Sequence, residues 1–312
     1  MIKETMTAME RFQTAVRLGK SDRTPVCIGM DYKFPCRYKG ITMGAHYRDM
    51  RVGYQALKEV FDELGGWDFM MRFSMTTQTL DLLNAPMVIK IPGKDIGEDD
   101  IIQWDEKEIL KREDYDRIIE MGWKQFMYEF YPKFKGWNVS EYHERVAGQA
   151  KKEIEAMKED RKYWQQKGVP VIGESLPFSS IMMFSCARSL MEFTKDIYNI
   201  PDKVAAAMDA TVPDLIELSI KATKDLEIDP DEHITGSLIV LERGGSFYYP
   251  PKIFERFEWP YLKQMVEAFV AEGITPVMHF DQDWSLNLPY LKQLPKGKCI
   301  AQFDHTTDIF KA

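Results

Sequence analysis

The segment that follows Ile274 carries the residues of this chain that are best suited to chemistry. An apolar run from Ile274 to Met278 ends in His279, Asp281 and Asp283. Such a run is typical of a buried parallel strand whose carboxyl end delivers polar side chains to an open edge. His279 and Asp281 are two positions apart and therefore point the same way from an extended strand. An imidazole and a carboxylate on one face can bind a metal ion or share a proton.

Polar residues also stand at the ends of the other strands that the sequence predicts. They are Asp31, Arg72, Glu174, Glu242, and the pair Asp304 and His305. The carboxyl ends of the strands in a β/α barrel meet at one face, where active sites lie, so we expect these side chains to share one site. Glu242 is predicted to be a ligand or a general base, and a salt bridge to the adjacent Arg243 is the alternative. Asp283 fits better as the N-cap of the next helix.

Composition limits the classes of function. The chain has 312 residues with 45% hydrophobic content, which suffices for a large α/β core. A net charge of −8 argues against non-specific binding to nucleic acids or anionic membranes. No signal peptide and no apolar run of about 18 residues is present, so we expect a cytoplasmic protein. The four cysteines form no CxxC pair and do not predict a disulfide framework.

Apolar segments alternate with helical segments along the chain. The predicted strands are Val26 to Tyr32, Trp67 to Phe73, Pro170 to Glu174, Ile234 to Glu242, Ile274 to Asp281, and Cys299 to Asp304. The predicted helices between and beside them are Val52 to Leu64, Glu144 to Gln166, Pro201 to Leu226, Pro251 to Glu272, and Leu286 to Leu294. Strands joined by crossover helices are typical of parallel βα units.

The predicted fold class is α/β, as a single (β/α)8 TIM barrel. We prefer the barrel to a doubly wound sheet because polar residues end strand after strand and no glycine-rich phosphate loop follows the first strand. A barrel needs eight strands, so the sequence predicts a barrel that is truncated after about six. The N-terminal helix is expected within residues 1–20. An excursion with a short hairpin is expected at 85–165, and its aromatic segment Trp123 to Trp137 is either a lid or docking surface, or a helix packed on the barrel.

Two stretches resemble the uroporphyrinogen decarboxylase superfamily, which contains porphyrinogen decarboxylases and corrinoid-dependent methyltransferases on a β/α barrel. ERFQTAVRLGKSDRTPV, from Glu10 to Val26, resembles the N-terminal helix and the entry into strand one. YYPPKIFERFEWPYLKQMVEAFVAEGITPVMHFD, from Tyr248 to Asp281, resembles a helix of the superfamily and the strand after it. The resemblance covers nearly the whole chain with gaps and is loosest between residues 75 and 165.

The methyltransferase branch carries His-x-Cys at the end of this strand and a later cysteine, which together bind zinc. Here His279 matches, and Asp281 stands where the cysteine would be. The resemblance therefore implies a zinc site at His279 and Asp281, and the substitution favours an oxygen or nitrogen substrate over a thiol. It implies methyl transfer between a small methylated compound, a thiol or a folate and a corrinoid that a partner protein carries. Glu242, Asp281 and Asp31 are the predicted catalytic residues.

The predicted substrate-binding residues are Tyr32, Arg37, Arg72, Glu174 and Asp304. The first alternative function is decarboxylation of a tetrapyrrole or another polycarboxylate, with Asp31 stabilising an intermediate and arginines anchoring the substrate. The Met-Arg-Gln-Ala-Gly-Arg pattern of that branch is absent after strand one, and this acidic chain shows no obvious basic cleft. The second alternative is an inactive truncated barrel or a binding module for a corrinoid protein.

Overall fold

The computed structural model describes residues 4–27, 32–71, 87–173, 175–228 and 234–310. The described helices are α1 (Ala8–Val16), α2 (Lys33–Tyr38), α3 (Met43–Arg48), α4 (Met50–Leu64), α5 (Asp114–Phe134), α6 (Val139–Gln166), α7 (Ser180–Arg188), α8 (Leu190–Asn199), α9 (Pro201–Lys224), α10 (Pro251–Phe257), α11 (Trp259–Ala271) and α12 (Leu288–Leu291). The described strands are β1 (Met70–Met71), β2 (Val88–Lys90), β3 (Gln103–Asp105), β4 (Val171–Ile172), β5 (Gly236–Leu241), β6 (Thr275–Phe280) and β7 (Ile300–Phe303). The protein is therefore a mixed α/β protein.

Small parallel sheets form the centre of the fold. β5, β6 and β7 pair in parallel in chain order, and β1 pairs in parallel with β4. The chain after β4 continues along β5, where Leu238 N–H donates to the carbonyl of Ser175 over 2.9 Å. Apart from the hairpin β2–β3, which lies between β1 and β4 in the chain, the paired strands follow one another in sequence, as expected for parallel βα units. The strands of the described ranges do not close into a barrel.

The two faces of the β5–β7 sheet pack against different partners. Ile239 and Met278 belong to the large core cluster that the sheet shares with helices α5–α11. Leu238 and Val277, one position earlier on their strands, belong to a smaller cluster with Phe12 of α1. Because successive strand residues point to opposite faces, most helices cover one face and α1 packs against the other.

A buried charge network connects α1 to the sheet. Arg11 and Asp68 are each 2% exposed and form an ion pair. Arg11 Nε also lies 2.6 Å from Asp22 Oδ1. Asp68 Oδ2 accepts a hydrogen bond from Val26 N–H over 2.8 Å, and Arg23 pairs with the same carboxylate. Asp68 thereby joins α1, the segment that enters the sheet, and the start of β1.

The predicted helix Pro251 to Glu272 is interrupted in the structure. α10 ends at Phe257 and α11 begins at Trp259. Pro260 has no N–H to donate to the carbonyl of Arg256, four residues earlier, so a continuous helix would lose a hydrogen bond there, whereas a proline in the first turn of α11 is tolerated. Glu258 lies at the junction with φ −120° and ψ −56°, and its side chain is 0% exposed.

The first predicted strand is wrong at its end. Tyr32 is the N-cap residue of α2, and Pro35 occupies the first turn of that helix, where a proline is tolerated. Residues 28–31 of the same prediction lie outside the described residues. The carbonyl of Val26 accepts a hydrogen bond from Asp68 N–H over 2.7 Å, which places the beginning of this segment beside β1.

The excursion contains the predicted hairpin. β2 and β3 pair antiparallel, with Val88 opposite Asp105. The aromatic segment belongs to α5 and buries Trp123, Phe126 and Tyr131 in the large core cluster. Of the two interpretations of this segment, the structure therefore supports a helix that packs its aromatic side chains inward. Within the described ranges, none of the helices has both the length and the apolar character needed to span a bilayer.

We expect Asp68→Asn to lower the free energy of unfolding by about 3 kcal/mol, because it leaves the buried Arg11 guanidinium with incomplete charge compensation. Glu141→Gln is a matched control, since Glu141 forms an exposed ion pair with Arg145 on one helix face and should change stability by less than about 1 kcal/mol. Urea unfolding of the three proteins measures both effects. Equal stability of the two variants would contradict a central role for the Asp68 network.

Candidate functional site

The carboxyl ends of β5 and β6 bring three side chains of metal-ligand type together. One ligand atom from each of Glu242, His279 and Asp281 lies within 4.8 Å of the other two. His279 Nε2 lies 3.3 Å from Asp281 Oδ1. All three side chains are half-buried, so they are partly desolvated yet reachable from solvent. The predicted metal residues and the predicted catalytic Glu242 are thus in one group.

Strand register explains this grouping. Val240 pairs with His279, and the next pair is Leu241 with Phe280. Glu242 and Asp281 are the residues that directly follow the two strands, so they leave the sheet side by side. His279 lies two positions after Val277 and shares its face, which is the face toward α1.

Gln302 of β7 fixes the orientation of the imidazole. It is the register partner of His279, and its Oε1 lies 3.0 Å from His279 Nδ1. An amide oxygen only accepts hydrogen bonds, so Nδ1 is the donor in this contact, and the tautomer that fits it presents its lone pair at Nε2. That lone pair faces the Asp281 carboxylate. Two acceptors attract each other only through a proton or a cation, so this pair is arranged to share one.

The electrostatics of Glu242 also favour a cation. Burial raises the pKa of the Glu242 carboxyl, and the neighbouring Asp281 raises the pKa further, while His279 and Arg243 act in the opposite direction. A divalent ion between the two carboxylates would offset their mutual repulsion. Arg243 instead pairs with Glu106, with 3.0 Å between Nη2 and Oε2. The structure thus shows a charged partner for Arg243 other than Glu242.

The loop that contains Asp281 is held by the segment after β7. Gln282 has a positive φ of 67°, a conformation that costs free energy for a residue other than glycine. Asp304 Oδ2 accepts a hydrogen bond from Gln282 N–H over 2.9 Å, and Thr307 Oγ1 accepts one from Trp284 N–H over 3.0 Å. Hydrogen bonds from Thr306 lower the pKa of Asp304. Asp304, a predicted substrate-binding residue, therefore uses its carboxylate to fix the backbone beside Asp281.

The loop after β5 packs directly on the loop after β6. A Cβ atom at Gly245 would lie 2.7 Å from Cε2 of the buried Trp284, so only glycine fits at this close approach. Ser246 Oγ donates a hydrogen bond to the carbonyl of Asp283 over 2.9 Å. Asp283 also accepts a hydrogen bond from Ser285 N–H over 2.8 Å, so it caps this turn, whereas the helix that follows begins only at Leu288.

The buried carboxyl group of Glu258 packs against the loop after β5. Glu258 accepts a hydrogen bond from Ile181 N–H over 3.0 Å at the start of α7. A Cβ atom at Gly244 would lie 2.9 Å from Cδ of Glu258, so the loop rests on this carboxyl group. Complete burial raises the pKa of Glu258 to about 7, while hydrogen bonds from Ile181, Ser179 and Ser180 oppose the shift.

The other predicted site residues are not all placed by the structure. Asp31, Arg72 and Glu174 lie outside the described residues. Tyr32 is buried in a separate core cluster, where its ring stacks on His46 with 4.7 Å between ring centroids. Arg37 is exposed and donates a hydrogen bond to the carbonyl of Asp99 over 3.4 Å. Neither Tyr32 nor Arg37 is among the three residues that form the group around His279.

Sequence reasoning missed Gln302 and Glu258. Gln302 is the polar residue of the apolar strand Ile300–Phe303, and that irregularity was a usable signal once β6 and β7 were paired. Glu258 precedes Trp259-Pro260, and the proline marked a helix break that would turn a side chain inward. Nothing in the sequence indicated that Glu106 pairs with Arg243, because these residues lie 137 positions apart.

One imidazole nitrogen and two carboxylate oxygens form a donor set that suits zinc and other divalent transition metals. Three protein ligands would leave a coordination position open, which is the arrangement of catalytic rather than structural zinc sites. The hydrogen bond at Nδ1 is the outer contact that ligating histidines almost always make. The residues present therefore fit the predicted metal.

Comparisons with known proteins add no family to this picture. No protein-family model matches the chain, and no curated protein matches it. The resemblance to the uroporphyrinogen decarboxylase superfamily therefore rests on the motif residues and stays a prediction.

We expect Glu258 to make stability decline as the pH rises. Its pKa is about 7 in the folded chain against an ordinary 4.5, so between these values the unfolded chain is ionised while the folded chain keeps the proton. Unfolding then releases a proton, and the free energy of unfolding falls with pH by up to about 3 kcal/mol. Glu258→Gln should remove this slope, and unfolding measured from pH 4 to 8 gives the difference between wild type and variant.

The matched control is Glu267→Gln, which changes an exposed glutamate near the end of the same helical region. Its unfolding profile should run parallel to that of wild type. If the profile of Glu258→Gln also runs parallel to wild type, the carboxyl is not held protonated in the folded chain.

Proposed function

We propose that this chain is a metal-assisted methyltransferase that moves a methyl group between a small methylated compound, or a thiol or folate, and a corrinoid protein. The observation that carries the proposal is the group formed by Glu242, His279 and Asp281, whose ligand atoms lie within 4.8 Å of one another. The resemblance of Tyr248 to Asp281 to the methyltransferase branch supplies the reaction class. The corrinoid would be carried by a partner protein.

We also propose that the parallel sheets are part of a β/α barrel. Three features support this: strands in chain order, helices packed on one face, and α1 with Phe12 packed on the other. In a barrel the second face is the interior, and Glu242 and His279 would stand at its carboxyl-terminal mouth. That is where the active sites of β/α barrels lie.

Each residue of the site has a defined part in the proposal. His279, Asp281 and Glu242 would hold the ion, and the contact of Gln302 with Nδ1 would keep the imidazole in the tautomer that ligates through Nε2. A bound zinc ion would supply Lewis acidity toward the oxygen or nitrogen that carries the methyl group. In the transfer, an electron pair of the acceptor, Co(I) in the demethylation direction, forms the new bond to the methyl carbon while the carbon–heteroatom bond breaks with both of its electrons on the heteroatom. Oxygen and nitrogen ligands favour an ether or amine donor over a thiol.

The decarboxylase alternative has less support. A polycarboxylate substrate needs cationic side chains that bind its carboxylates. The group at the sheet edge is acidic instead, with Glu242 and Asp281 together. Arg243, next to Glu242, is paired with Glu106, and Arg37 is at the surface.

Metal content tests the proposal. We expect near-stoichiometric zinc in protein purified without oxygen, and loss of that zinc in His279→Ala. His143→Ala is the matched control, because His143 lies on α6 and contacts the carbonyl of Tyr128 instead of the group around His279. Absence of metal from the wild-type protein would exclude the metal-assisted mechanism. Methylation of Co(I) cobalamin by a methyl ether or a methylamine, followed by absorbance, then tests the reaction itself.

We expect Gln302→Leu to retain the zinc site but weaken it. Loss of the Nδ1 contact frees the imidazole to rotate and to change tautomer, and loss of such an outer contact typically lowers metal affinity by about 10- to 100-fold. Competition with a zinc chelator measures the affinity of wild type and variant. Unchanged affinity would show that Gln302 does not orient the ligand.

A further inference from the structure

A small cavity opens on Glu242 from the side of the β2–β3 hairpin. Its volume is about 70 Å³. A single water molecule needs only about 10–15 Å³ by the same kind of measure, so the space holds a group of several heavy atoms. The lining includes Met87, Trp104, Glu106, Met182, Cys186 and Glu242.

The hairpin forms the outer wall of this cavity, and Glu106 holds it in place. Glu106 Oε2 pairs with Arg243 of the loop after β5 over 3.0 Å. Glu106 Oε1 accepts a hydrogen bond from Leu190 N–H over 2.8 Å. Arg243 also donates to the carbonyl of Ser185 over 3.3 Å. The wall is therefore fixed to the same loop that carries Glu242.

Most of the lining is apolar and polarisable. Met87 and Met182 are buried, and the indole of Trp104 contributes a flat apolar surface. Cys186 contacts the sulfur of Met182 over 3.9 Å. Burial raises the pKa of the Cys186 thiol to about 11, so the thiol is uncharged at neutral pH and serves as wall.

The charged groups of the lining already have partners. Arg243 pairs with Glu106, and Asp105 Oδ2 lies 3.2 Å from Lys107 Nζ. Glu242 belongs to the group with His279 and Asp281. An anionic ligand would face Glu242 without a free cation among these lining residues. A cationic ligand would compete with the proposed metal ion for the same carboxylate.

We propose that this cavity binds an uncharged, compact, apolar group of the substrate, and that it restricts the methyl donor to neutral compounds such as small alkyl methyl ethers. This inference rests on the proposed function, because Glu242 is both a wall of the cavity and a member of the metal group. Trp104 and Cys186 are the residues that set the size of the group, and the reacting heteroatom lies on the side of Glu242.

Three probes of similar size and different charge test the inference: tert-butyl methyl ether, tetramethylammonium and pivalate. Ligand-observed NMR measures the binding of each to the wild-type chain. We expect the ether to bind and the two ions to bind more weakly by about tenfold or more. Cys186→Leu fills the cavity and should weaken ether binding by a similar factor, whereas zinc content stays at the wild-type level.

Cys299→Leu is the matched control, because Cys299 lines a different cavity, beside Phe12 and Ile300, and the same substitution there should leave ether binding unchanged. Far-ultraviolet circular dichroism of both variants checks folding, and Trp104→Ala provides a second test from the opposite wall. Tighter binding of either ion, or equal ether binding by Cys186→Leu and wild type, would overturn the inference. Zinc content separates the two proposals. Zinc without ether selectivity would contradict only the inference about the cavity. Ether selectivity without zinc would contradict the metal-assisted methyltransferase and support only the cavity.

Discussion

The parallel register of β5, β6 and β7 is the constraint on which the candidate site depends. It aligns Val240, His279 and Gln302 in one row across the sheet. A slip of one residue would turn His279 to the opposite face and put a core residue in its place. Burial of the alternate side chains, Ile239 and Met278 among them, opposes that slip. Packing on the helical side thus orients the polar side chains on the other side.

Periodicity in the sequence predicted the longer elements. β5 and β6 lie within the predicted strands Ile234 to Glu242 and Ile274 to Asp281, because a short apolar run bounded by polar residues is typical of a buried strand. Within the described residues, β1 covers Met70–Met71 and β4 covers Val171–Ile172, which lie inside the predicted strands Trp67 to Phe73 and Pro170 to Glu174. The helix Pro251 to Glu272 was predicted without a break, although the proline within its pattern is a signal for the break that the structure shows at Glu258. Closure of the sheet depends on contacts between distant segments, which local patterns do not encode.

The site was predictable where its residues follow strands, and unpredictable where tertiary contacts determine the partner. Spacing indicated His279 with Asp281, and the polar end of β5 indicated Glu242. The same reasoning suggested that Asp304 faces a substrate. In the structure its carboxylate accepts a hydrogen bond from the backbone N–H of Gln282, whose positive φ needs such support. Strand ends thus indicate which residues lie at the carboxyl edge of the sheet, and their hydrogen bonds to the backbone decide which of them remain available to a ligand.

The pairing of Glu106 with Arg243 has a consequence for the order of folding. The two residues are 137 positions apart. Closing so long a loop costs entropy, and contacts offset this cost only after the sheet that carries Arg243 has formed. We therefore expect the hairpin to dock after the β5–β7 sheet has formed. By the same reasoning it can detach alone, in a local unfolding event that leaves the sheet intact. Solvent access to the thiol of Cys186 would then depend on the stability of the hairpin and not on that of the whole chain.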